Sequence, residues 1–326
     1  MESSTRFMTE EIGTDTGKDT GQNPLGDFPA IIAGAGDLAA FLASNKAAVD
    51  AALADAGALL FRGFDVADAP AFDGAVTAYG EDGFTYEESL SNAVRVNVTS
   101  RVFTANEAPP ETAIHLHHEM AQTPLYPSKL FFYCEIAPDE GGATPVCRSD
   151  WLLGQLSADD PALAARFADE GVRYTNVMPG DDDAGSGQGR SWRSTLGEQD
   201  KAGAEERLAA IGYDWEWLEG EILRATTPVL PAIRTLPDGS RSFFNQLIAA
   251  FRGWSDSRNT ADRSVTFGGG EPIGPQHLTR AIALSEELTR DIAWQAGDVA
   301  LIDNFRVMHG RRPFAGQRRV LASLVA

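Results

Sequence analysis

The alternation of apolar and polar positions divides the chain into segments before any chemistry is considered. From Asp37 through Ala56 the apolar positions Leu38, Phe41, Leu42, Val49 and Leu53 fall at helical intervals. The spacing predicts an amphipathic helix started by an Asp37 cap and ended near Gly57. Ala58-Leu59-Leu60-Phe61-Arg62 then reads as a short strand. Pro127 through Ala137, centred on Leu130-Phe131-Phe132-Tyr133-Cys134, is an apolar, aromatic run that predicts a strand buried on both faces. Glu140-Gly141-Gly142-Ala143-Thr144-Pro145 predicts a turn feeding another strand, Asp150 to about Ala168 a helix, and Gly310 through Leu321 a basic turn with a closing strand. Residues 1–26 are polar and aperiodic and predict a disordered tail, leaving 27–326 as one domain. An insertion, a lid region at about 180–260, opens with a glycine-rich loop at Gly180 to Gly189 that reads equally as a functional lid or a surface excursion. Further along it Trp215 and Trp217 are expected in the core. Strand patterns mixed with helical ones give a mixed α and β fold, with no internal repeat.

Composition narrows the class of protein. With 326 residues the chain is long enough for one large domain or two ordinary ones, and a fold of this size buries about 75% of its unfolded surface. No stretch reaches the ~18 consecutive apolar residues needed to span a membrane, and the first residues lack a secretory pattern. Cys134 and Cys147, the only cysteines, both fall in predicted strands and read as reduced, packed residues of a cytoplasmic protein. The formal net charge of −20 disfavours nucleic acid and anionic membranes as partners, because both are held mainly by cationic contacts. A spread-out acidic surface says little about the substrate or the oligomeric state.

The chemistry concentrates in Ile114-His115-Leu116-His117-His118-Glu119-Met120 and in Asp303-Asn304-Phe305-Arg306-Val307-Met308-His309-Gly310-Arg311. A His-x-carboxylate pair plus one remote His is the ligand set of the 2-His-1-carboxylate facial triad of non-haem iron(II), which leaves open positions on the metal. On a strand, positions i and i+2 share a face about 6.6 Å apart, so His117 and Glu119 can converge on one ion. His115 shares that face but lies about 13 Å from Glu119, and His118 points the other way. Taken alone, the clustered histidines read equally as a fortuitous metal-binding edge.

The segments flanking the ligands break the tie. The Phe131-Phe132-Tyr133-Cys134 strand, Gly141-Gly142-Ala143-Thr144-Pro145, the opening Gly57-Ala58-Leu59-Leu60-Phe61-Arg62-Gly63-Phe64 and the late Trp294-Gln295-Ala296-Gly297-Asp298-Val299 stand in an order that resembles the TauD/TfdA (taurine dioxygenase-like) family, in its His-x-Glu branch. The resemblance covers roughly residues 28–326. It implies a double-stranded β-helix, or jelly roll, with outer helices and a helical insertion over the open end. It also implies an Fe(II)/2-oxoglutarate-dependent dioxygenase that uses O2 and releases succinate and CO2. His117, Glu119 and His309 would hold the iron, and Arg318, helped by the Thr144 hydroxyl, would bind the distal carboxylate of 2-oxoglutarate through its planar fork. Arg319 is the rival, since neighbouring strand residues face opposite sides. Thr144 could instead simply fill a strand, although the glycines before it suit close approach to a ligand. Arg193, Asn245 and Arg252 are the candidates on the substrate side.

The pattern departs from the family at His118, where close relatives carry Asn, and at His115, where an apolar residue or proline is more usual; both bear on substrate preference. Halogenating relatives have a small residue where Glu119 stands, so Glu119 argues against halogenation. The implied substrate is a small polar molecule of amino acid type, free or carrier-bound, hydroxylated at an unactivated C–H bond in bacterial secondary metabolism. A zinc hydrolase built on the same three ligands, or a non-catalytic ligand-binding relative, remains an alternative.

Overall fold

The computed structural model describes residues 28–84, 90, 95–105, 108–183, 189–253 and 257–326. The tail expected at 1–26 and residues 184–188 of the glycine-rich loop lie outside them. The larger of two facing sheets runs in the order β1 (Ala30–Ala33), β2 (Ala58–Arg62), β15 (Val299–Asp303), β5 (Lys129–Ile136), β18 (Arg319–Val325) and β3 (Phe103–Thr104). The smaller has the order β14 (Arg290–Ile292), β7 (Thr144–Arg148), β16 (Val307–Arg311) and β4 (Ile114–His117). Apart from the parallel β1–β2 pair, every pairing in both is antiparallel.

Period-two alternation builds the sandwich. On β5, Leu130, Phe132 and Cys134 join Ala300, Ile302, Ala322 and Leu324 in a core closed from the other side by Val146, Ile292 and Val307 of the small sheet. Phe131 and Tyr133 point the opposite way, under the helices Leu38–Ala56 and Ala69–Tyr79. Both faces of β5 are therefore buried, as its unbroken apolar run requires, and each Phe contributes about 1.5–3 kcal/mol. The first helix begins where Asp37 Oδ1 accepts from Ala40 N (2.9 Å) and stops at Gly57, whose φ of 81° favours glycine.

Two expectations are corrected here. The helix expected over 150–168 is two, Ser149–Asp159 and Pro161–Glu170: Asp160 caps the second, and Pro161, lacking an N–H, opens it. The insertion contains the helices Trp192–Leu196, Lys201–Ala210 and Leu247–Gly253, but it is not helical throughout. The polar–aromatic alternation of Asp214-Trp215-Glu216-Trp217 forms a hairpin of β9 (Asp214–Leu218) and β10 (Ile222–Thr226), joined to β8 (Val172–Met178) and β13 (Val265–Phe267) in a four-stranded sheet. On that edge strand Trp215 is 36% exposed rather than in the core, whereas Trp217 packs against Trp192 at 5.1 Å. Two ribbons, β6 (Glu140–Gly141) with β17 (Phe314–Ala315) and β11 (Arg234–Thr235) with β12 (Arg241–Ser242), complete the strands. Cys134 and Cys147 are free and buried, and burial pushes each thiol up to about 12. No helix among the described residues is long and apolar enough to cross a membrane.

Candidate active site

His117 ends β4 and His309 lies opposite it on β16, so one register pair brings the two rings to 4.3 Å between centroids. Glu119 completes the cluster, and the ligand atoms of the three residues all lie within 4.8 Å of one another. Oε2 of Glu119 stands 3.8 Å from His117 Nε2 and 3.5 Å from His309 Nε2. Two ligand atoms each about 2.1 Å from one ion sit about 3.0–3.4 Å apart, so a small closure onto a divalent cation suffices and the donor set fits iron(II).

Convergence does not arise from the pleat of a strand, as the spacing alone predicts. β4 stops at His117, and Glu119 sits in the turn after it, where buried Met120 takes a positive φ of 57°. Asn304, fully buried, clamps that turn: its Oδ1 accepts from Glu119 N (2.7 Å) and its Nδ2 donates to Glu119 O (3.0 Å) and Pro127 O (2.8 Å). His115 is corrected as well. A bulge between the His117–His309 and Ile114–Arg311 pairs turns it away from the His117 face. Its ring lies beside Gly253 in a cavity shared with Arg252, Glu286 and Thr289. Gly310 permits the bulge, since a Cβ there would collide with the Ile114 carbonyl. His118 does point away, with Nδ1 2.5 Å from the Asn304 carbonyl and its ring 4.8 Å from that of Phe244. Burial drives its pKa down to about 3, so it is neutral.

The electrostatics suit a cation. Burial alone would raise the Glu119 carboxyl, but Arg95 and the neighbouring His117 and His309 outweigh it and hold the group well below the carboxylate range. Burial, with His117 nearby, lowers His309 to about 4. Nδ1 of His117 faces the His115 carbonyl at 2.8 Å, so it carries the proton and leaves the Nε2 lone pair for a ligand role. Arg95, buried against the ring of Phe103 (5.1 Å), donates through Nη2 to Glu119 Oε1 (2.8 Å). No sequence motif points to Arg95. It precedes His117 by more than twenty residues, and only folding brings it there.

Thr144 and His309 share one face of the small sheet, since His309 pairs with Val146 and Thr144 is two residues along. The Thr144 hydroxyl accepts from Trp294 Nε1 (2.9 Å), which leaves its own proton to donate elsewhere. Arg318 donates through Nε to the carbonyl of Gly142 (2.9 Å). Gly142 has a φ of 66°, and a Cβ there would stand 3.0 Å from Arg318 Cδ, so glycine admits the arginine stem. No carboxylate among the described residues pairs with Arg318; burial, then the charge of Arg311, lowers its pKa to about 10. It opens onto a cavity of about 490 Å³ with Arg311, Phe314, Thr104 and Ala108 on its walls. Arg319, by contrast, is exposed and pairs with Glu135 at 2.8 Å.

The three substrate-side candidates are not gathered with these groups. Arg193 binds the Gly180 carbonyl and Glu221 (both 2.7 Å) and stacks on Trp192. Arg252 pairs with Glu286 (2.8 Å). Asn245 is buried behind the turn that carries Glu119, where its side chain donates to Ala232 O and accepts from Leu247 N. Its backbone carbonyl meets His118 N at 3.5 Å, so it supports the site from the rear.

Residues 22–324 match the family described as taurine catabolism dioxygenase TauD, TfdA family. A clavaminate synthase-like protein of Arabidopsis thaliana is 42% identical over 282 residues, 86% of this chain and 85% of that protein. The dapdiamide synthesis protein DdaC of Enterobacter agglomerans is 30% identical over 292 residues, 85% and 84% of the respective chains. The crystal structure of a putative alpha-ketoglutarate dependent 2,4-D dioxygenase from Burkholderia xenovorans shares the fold, with a TM-score of 0.51, 16% identity and coverage of 90% of this chain and 92% of that one.

Proposed function

Since the chain belongs to the TauD/TfdA family and is a 2-oxoglutarate-dependent non-haem iron dioxygenase, we propose that His117, Glu119 and His309 bind its iron(II). Arg318 and Thr144 receive the distal carboxylate of 2-oxoglutarate. The observation that carries this reading is the half-buried Arg318, which has no carboxylate partner among the described residues and donates to the carbonyl of Gly142, two residues before Thr144 in the chain. A half-buried cation without a counter-charge is held at a cost, and a dicarboxylate cosubstrate supplies that charge. A triad alone would serve hydrolytic zinc equally well; the waiting guanidinium favours the oxidative chemistry.

Bound iron(II) supplies the chelation of 2-oxoglutarate and the activation of O2, with succinate and CO2 as the cosubstrate products. The protein's own residues do the positioning. His117, with Nδ1 held by the His115 carbonyl, presents Nε2, and Glu119 is ionised before the metal arrives. The Arg318 fork fixes one end of the cosubstrate, and the Thr144 hydroxyl donates to the same carboxylate. Phe132, whose ring lies 5.2 Å from that of His309, and the apolar core around it exclude water from behind the site.

The substrate we read is a small polar molecule of amino acid type, free or carrier-bound, hydroxylated at an unactivated C–H bond in bacterial secondary metabolism. Its support is the similarity to a bacterial protein named for dapdiamide synthesis and to one named clavaminate synthase-like. Succinate release across a panel of free and carrier-bound amino acids, under ¹⁸O2, tests it. Substrate-dependent succinate with label in the product is the expected result. Turnover that survives without O2 or 2-oxoglutarate would sink the reading in favour of hydrolysis.

A further inference from the structure

Glu119 divides its two carboxylate oxygens. Oε2 faces both histidines, at 3.8 and 3.5 Å, while Oε1 accepts from Arg95 Nη2 at 2.8 Å. Both partners are almost wholly buried, with side chains 7% and 5% exposed. The contact is thus a charge-assisted hydrogen bond shielded from water, among the stronger ones a protein makes. Phe103 lies under the guanidinium and limits where it can go. A carboxylate with both oxygens free can grip a cation with one or with two. The second mode would draw Oε1 toward the ion and weaken its charge-assisted bond to Arg95.

We propose that Arg95 is a positioning residue that confines Glu119 to ligation through Oε2 alone, so that half of the metal's coordination sphere stays open. The argument rests on His117, Glu119 and His309 being the metal ligands. With one oxygen from Glu119, a six-coordinate ion keeps three open positions; with two oxygens it keeps two. Bound 2-oxoglutarate takes two, and the difference is whether any position is left. Lost tethering should therefore show in turnover more than in cosubstrate binding.

Manganese(II) is the probe. Pulsed EPR in H2¹⁷O counts the waters on the Mn(II)-loaded protein. Three waters are expected for the native chain, two for Arg95→Met, and three again for Arg95→Lys, which keeps a cation and an N–H donor. Three waters in Arg95→Met overturn the proposal. Should that variant not fold, the count is taken on Arg95→Leu, which likewise has no donor, and there two supports it and three overturns it. In parallel, kcat should fall about 10–100-fold in Arg95→Met while the KM for 2-oxoglutarate changes by less than about threefold. Equal losses in both would point to general disruption instead. Failure of the ligand assignment looks different: the native chain would bind no Mn(II), or His309→Ala would bind it equally well.

Discussion

The mouth of the jelly roll and the insertion place their cations in different surroundings. In the insertion Arg193 pairs with Glu221, Arg224 with Glu216, and Lys201 again with Glu221, all at the protein surface. At the mouth Arg311 donates to the backbone carbonyls of Ala108, Pro109 and Thr112, Arg95 is bonded to Glu119, and Arg318 has no carboxylate partner among the described residues. Surface pairs of the first kind contribute about 0–1 kcal/mol each and act as scaffold. Arg318, half-buried and bonded to the Gly142 carbonyl, is retained at a cost, and in the reading proposed above an anionic ligand completes its compensation.

The comparison can be broken most severely at the metal cluster. His117→Ala, Glu119→Ala and His309→Ala should each abolish most iron binding, read by metal analysis after reconstitution. His118→Ala should keep iron near the native stoichiometry and lose about 1–3 kcal/mol of stability instead, because it empties a packed site away from the ligand face. Iron loss in His118→Ala with retention in His117→Ala would reverse the register.

Next in size is the contrast between neighbours on β18. Arg318→Ala should raise the 2-oxoglutarate requirement by about 30- to 5,000-fold, the equivalent of ~2–5 kcal/mol for removing one side of a buried charge pair. Arg319→Ala, at an exposed residue paired with Glu135, should change it less than about threefold. Equal effects would mean that another cation anchors the cosubstrate.

Asn304→Ala comes third. It strands the backbone groups of Glu119 and Pro127 in the interior, and denaturant titration should show a loss of about 1–3 kcal/mol for each group left unpaired. Arg193→Ala and Arg252→Ala sharpen the comparison from the insertion side: each should cost about 1 kcal/mol or less and leave 2-oxoglutarate kinetics unchanged. A large rise in substrate KM for either would return it to the substrate pocket. The smallest expected effect is none: with Glu119 filling the position a halide would need, excess chloride should yield no chlorinated product by mass spectrometry.

The large sheet was readable because its signals are local. An unbroken apolar run such as Leu130 to Cys134 can only be a segment buried on both faces, and the Asp37 cap and Gly57 stop bracket a helix by short-range rules. The insertion was less legible, since Asp214 to Trp217 alternates on an edge strand where Trp215 stays partly exposed.

At the site, residue types and spacing point to His117, Glu119 and His309 as a candidate ligand set, because such a set is a matter of chemistry and order along the chain, whereas Thr144 and Arg318 are implied only by the family resemblance. How they meet was not contained in the spacing. The turn that aims Glu119 depends on Asn304, 185 residues away, and the bulge that turns His115 aside depends on the pairing of β4 with β16. Arg318 and Arg319 are equivalent as letters; the close approach at Gly142 and the position of Glu135 separate them. Arg95 carries no local signature at all. Its meaning comes from one long-range contact, and such contacts are fixed by packing between distant segments, which only the tertiary structure decides.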